Sequence, residues 1–129
     1  MDLPETLKYT ASHEWVADNG DGTATVGITA VATDQLGDLV YVELPQVGSS
    51  LGRGGGCAVV ESTKAAADVY APISGVVVAA NADLADHPER VNESPYGAGW
   101  LFKLKLTDAS ELQGLLARDD YAKSAGVQV

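Results

Sequence analysis

The sequence predicts a mainly β fold, a sandwich or flattened barrel with short peripheral helices. Three observations lead there. Short runs rich in β-branched and apolar residues lie close together along the chain, Gly, Pro, Asn and Asp punctuate the gaps between them, and strands do not alternate with long helical stretches.

Taken in order, Asn19-Gly20-Asp21-Gly22 is a strong turn signal. Residues 23–30 then alternate, with Ala24, Val26, Ile28 and Ala30 on one face and Thr23, Thr25 and Thr29 on the other, the pattern of a half-buried strand. Residues 31–36, ended by Gly37, make a short helix, and residues 39–44, closed by Pro45, a strand. Residues 57–60 and 69–70 are apolar and pair across the segment between them; residues 75–80 form a further strand. Trp100, Phe102, Leu104 and Leu106 share a face opposite Lys103 and Lys105. Asp108 with Glu111 resembles a helix cap before Leu112, Leu115 and Leu116 at helical spacing, which would cover one barrel face. Residues 119–124, stopped by Gly126, form a last helix, and Gly114 argues against one continuous element.

A chain of 129 residues with 46% hydrophobic content suffices for one domain, 1–129, with a core over about 15–107 and a C-terminal helical segment over about 108–126. Eight Lys and Arg against eighteen Asp and Glu give a net charge of −10. Nucleic acid is excluded as a partner, because phosphate binding needs clustered cations and the sequence has none. Cys57 is the only cysteine, so no internal disulfide is possible, and its place in an apolar run suits a small buried hydrophobe. No secretory signal and no membrane-spanning run is visible, and the chain is expected to be cytoplasmic.

Lys64 is the most informative residue. It falls near the bend between the runs at 57–60 and 69–70, after Glu61 and Ser62 and before Ala65, Ala66 and Ala67, so nothing bulky shields its ammonium. An enzyme that grips the turn and acylates the amine would find it presented alone. Catalytic motifs are missing: Gly54-Gly55-Gly56 lacks a following Gly-Lys-Ser/Thr, His13-Glu14 lacks the second histidine of a zinc helix, His87 has no ligand partner nearby, and no Gly-x-Ser-x-Gly elbow occurs. The chain reads as a non-catalytic carrier without a metal.

The segments LKYTASHEW, DGTATVGIT, LGDLVYVELPQVG, VVESTKAAADVYAPISG and VNESPYGAGWLFKLKL resemble the H-protein family of the glycine cleavage system over nearly the whole chain. That resemblance implies a lipoyl-domain-like barrel-sandwich hybrid and lipoate held in amide linkage as lipoyllysine at Lys64. Biotin carriers share the architecture, but their lysine resembles Met-Lys-Met, whereas Thr63-Lys64-Ala65 stands here.

The resemblance also implies a reaction cycle. A pyridoxal-phosphate glycine decarboxylase leaves the aminomethyl group of glycine on a lipoyl sulfur, a folate-dependent aminomethyltransferase takes its methylene and frees ammonia, and dihydrolipoyl dehydrogenase reoxidises the dithiol. Extended lysine and lipoyl bonds give the arm a reach of roughly 14 Å, and tethering raises the effective concentration of its end at each docked enzyme. The family's pocket for the loaded arm carries over to Ser12, Glu14 and Asp68, and recognition by the lipoylating enzyme to Glu61, Ser62 and Ala65. The carrier is expected to be a monomer. Ala30-Val31 and Thr33-Asp34-Gln35 depart from the family pattern, which bears on docking rather than on the lysine turn. A relay role, donating lipoate to other lipoyl domains, is the alternative; an enzyme using the Cys57 thiol would survive Lys64→Arg, and either carrier would not.

Overall fold

The computed structural model describes residues 2–128. Two antiparallel sheets share one apolar core. After a two-residue strand, β1 (Lys8–Tyr9), the larger sheet begins in earnest with β2 (Glu14–Asp18) and β3 (Thr23–Ile28). The Asn19–Gly22 turn joins these two, and Gly20 and Gly22 supply its left-handed φ values of 81° and 87°. Ala24, Val26 and Ile28 point into the core while Thr23 and Thr25 are half-buried, so alternation sets this strand as the sequence indicates.

Ala30 departs from that expectation. Thr29 breaks the strand by capping a helix, α1 (Ala30–Leu36), with its hydroxyl accepting from Ala32 N–H, and Ala30 becomes the first helical residue. Gly37 ends α1 at φ 80°, ψ −164°, open to glycine and strained for other residues.

The smaller sheet runs in the order β4 (Leu39–Glu43), β6 (Gly56–Ser62), β7 (Ala66–Tyr70). The larger has the order β1-β2-β3-β9-β8-β5, completed by β5 (Ser50–Leu51), β8 (Gly75–Ala80) and β9 (Phe102–Leu106). Val16, Val26 and Phe102 from one sheet meet Leu39, Val60 and Val69 from the other in the main core. A second cluster, Leu3, Tyr9, Trp15, Val31, Tyr121 and Ala122, packs the amino-terminal segment against the last helix, α2 (Arg118–Ala125). Trp15 lies across Gly27, its register partner, and donates from Nε1 to the Pro95 carbonyl at 2.9 Å; a Cβ on Gly27 would meet the indole at 2.6 Å.

Two further expectations are corrected. Trp100 is not on the strand face opposite Lys103: Asn81 Nδ2 donates to the Ala98 and Trp100 carbonyls, holding the chain irregular until Phe102, and Lys103 Nζ sits 5.2 Å above the Trp100 ring. The helix expected through Leu112, Leu115 and Leu116 does not form as such, although the break near Gly114 is where the sequence puts it. Asp108 does cap, but the turn it starts is a 3₁₀ helix over Ala109–Gly114. Leu115 is extended, and Leu116 exchanges two backbone hydrogen bonds with Tyr9, at 2.7 and 2.8 Å, which replace the helical ones. No helix among the described residues is long and apolar enough to cross a membrane.

Candidate functional site

Register places Lys64 at the tip of the β6–β7 hairpin, beyond the last pair, Glu61 with Ala66. Ser62 organises the bend. Its Oγ accepts from the Lys64 and Ala65 N–H groups at 3.3 and 3.1 Å, and its own N–H donates to the Ala65 carbonyl at 2.8 Å. Ala65 is exposed, and Glu61 is half-buried opposite Tyr41 of β4. The Lys64 stem folds back on the C-terminus of α1, where a Cβ built on Gly37 would lie 3.3 Å from Cε.

A cavity of about 100 Å³ brings Ser12, Glu14 and Asp68 together. Gln35, Leu36 and Ala32 of α1 wall one side, and Val60, Ala67 and Val69 of the hairpin the other. Glu14 is only 1% exposed. Ser12 Oγ and Thr10 Oγ1 donate to its Oε1, each at 2.6 Å, and Tyr70 N–H of β7 donates to Oε2 at 3.3 Å, so this carboxylate ties the two sheets together. Burial pushes its pKa up, against the opposing effect of those hydrogen bonds, and no salt-bridge partner reaches it among the described residues. Asp68 stands exposed at the rim.

Thr10 and the Tyr70 N–H escape a reading of the sequence. The threonine sits in the same LKYTASHEW segment but carries no signal of its own, and the amide is offered only because β7 is a sheet edge. His13, between Ser12 and Glu14, has φ 76°. Cys57, half-buried, donates weakly to the Val69 carbonyl at 3.3 Å, and its thiol is pushed up to about 12 by burial and by the nearby Glu14, which disfavours the thiolate at neutral pH.

Fold and site together define a class: a lipoyl-domain-like barrel-sandwich hybrid presenting a single lysine at a hairpin tip beside an acid-floored cavity. The family model for the glycine cleavage H-protein matches residues 7–127. Similar proteins include the glycine cleavage system H proteins of Laribacter hongkongensis, 57% identical over 96% of this chain and 98% of that one, and of Pseudoalteromonas translucida, 56% identical over 95% of each. The crystal structure of a glycine cleavage system H protein from Mycobacterium marinum superposes with a TM-score of 0.88 at 43% identity, covering 97% of this chain and 100% of that one. The chain belongs to the glycine cleavage H-protein family.

Proposed function

We propose that this chain is the lipoyl-bearing carrier of a glycine cleavage system, a single domain acting as a cytoplasmic monomer, with lipoate in amide linkage on Lys64. In this role it shuttles the aminomethyl group of glycine from the decarboxylase to the aminomethyltransferase and presents the reduced dithiol to dihydrolipoyl dehydrogenase. When attached, the lipoyl group supplies the sulfur chemistry; the chain supplies position and shelter. The observation that carries the reading is Glu14, a buried carboxylate with no salt-bridge partner among the described residues, facing a cavity walled by α1, the helix against whose C-cap Gly37 the Lys64 stem folds back.

The residues fit such a group. Acylation removes the Lys64 charge, so its stem can lie along Leu36, Ala32 and Val60 without a desolvation penalty. Glu14, held by Ser12 and Thr10, floors the cavity with a carboxylate, and a cationic amine brought there gains a charge-assisted hydrogen bond that opposes the upward push of burial on its pKa. Asp68 meets the same amine at the rim. Glu61, Ser62 and Ala65 form the face that the lipoylating enzyme grips, with Ser62 holding the bend rigid beforehand.

Intact mass and peptide mapping after incubation with lipoate and a lipoylating enzyme test the attachment. A single lipoyl addition on Lys64, abolished in Lys64→Arg, is expected; a persistently bare lysine overturns the reading. Glu14→Gln is expected to shorten cargo retention about tenfold, the effect of one lost charge-assisted bond.

A further inference from the structure

We infer that Tyr121, on the C-terminal helix, is a positioning residue that fixes the floor and the α1 wall of the cargo cavity, an inference that rests on reading Ser12 and Glu14 as that pocket. Its phenol oxygen lies 2.6 Å from His13 Nδ1 and 2.8 Å from Thr29 Oγ1. His13 sits between the two residues that make the floor, and Thr29 caps α1, whose Ala32, Gln35 and Leu36 make the wall. One hydroxyl therefore joins floor to wall.

The floor needs the tether. Among the described residues His13 is the only non-glycine with positive φ, a basin that L side chains occupy only when surroundings hold them there. This reversal brings Ser12 Oγ to 2.6 Å from the Glu14 carboxylate. Backbone bonds from His13 N–H to the Thr10 carbonyl and from Thr29 N–H to the His13 carbonyl hold the main chain, and the imidazole meets the Tyr121 ring edge-on at 5.7 Å between centroids. Tyr121 is itself packed on all sides. It is fully buried and stacks on Tyr9 at 4.8 Å and 9°. The hydroxyl is thus delivered by a rigid post that Tyr121→Phe leaves standing while deleting the tether.

The test uses the full-length lipoylated chain, charged with glycine by the decarboxylase and then separated from it. Ammonium release is followed; in that hydrolysis one water gives its oxygen to the methylene carbon and its two protons to the sulfur and the nitrogen. Tyr121→Phe is expected to release ammonium about fivefold faster than wild type, as one buried hydrogen bond lost. In the unmodified protein the His13 imidazole nitrogen resonances should shift in the same variant. Tyr9→Phe, which loses the bond to the Pro4 carbonyl from the same stack, should release at the wild-type rate. Equal acceleration in Tyr9→Phe, an unchanged Tyr121→Phe rate or unmoved His13 resonances overturn the positioning role. An unchanged rate in Glu14→Gln instead removes the pocket reading, and the positioning role with it.

Discussion

Glu14 is buried, and burial raises its pKa above the ordinary carboxylate value against the hydrogen bonds donated by Ser12, Thr10 and Tyr70. Its folded pKa is raised above the unfolded value, so its contribution to stability is fully present below the unfolded pKa, near 4.5, and is lost as pH rises through the folded pKa. The wild-type melting temperature should therefore fall relative to that of Glu14→Gln as pH is raised from about 4 to 8. A difference that stays flat across that range would show that the carboxylate is not desolvated. His13 runs the other way: burial lowers its pKa, so its share of stability is held above pH 6.5 and lost as pH falls through the folded value. Cys57 should react with iodoacetamide at pH 8 at least about a hundredfold more slowly in the native chain than in urea, since its thiolate is scarce and covered. Much of this was legible in the sequence only in part. Lys64 stands out because its neighbours are small and the runs beside it are apolar. The tie from Tyr121 to His13 spans 108 positions and leaves no local mark.

At the level of the element, glycine decides where an aromatic is allowed. Gly27→Ala would drive a methyl into the Trp15 indole and strain its bond to Pro95, and a loss of about 1–3 kcal/mol in urea unfolding is expected. Ser62→Ala acts more gently. It removes the acceptor for two tip amides that face solvent, so stability should change by no more than about 1 kcal/mol while the KM of the lipoylating enzyme for the carrier rises. Strands β3, β8 and β9 were legible because alternating or β-branched runs sit between turn residues. β2 was not: Glu14, Trp15 and Val16 are buried in succession, because the residues facing the core and those facing the second cluster are both covered. β1 and β5 are two residues each, too short for any period to show. Leu116 kept helical spacing yet paired with Tyr9, a tertiary partner that spacing does not reveal.

Over the whole molecule, a net charge of −10 sets how the carrier meets other proteins. Any long-range attraction of this charge to a cationic surface is screened by salt, whereas the enclosed Glu14 is screened far less. Raising ionic strength from 20 to 200 mM should slow loading by the decarboxylase several-fold and leave cargo retention unchanged. Retention that fell as steeply as loading would show that salt reaches Glu14 and that the pocket does not enclose it.

Strand β7 carries a further meaning. It starts just after the lysine turn and ends at Tyr70, whose amide donates to Glu14, so its five residues rise about 14 Å from the foot of the turn to the residue beside that acid. That length is comparable with the roughly 14 Å reach of an extended lipoyllysine, so under the proposed function the strand acts as a ruler cut to the cofactor. Two residues added to each of β6 and β7 would preserve every inward face and lengthen the hairpin by about 7 Å. Such a chain should still be lipoylated, and its arm should fall short of its own harbour.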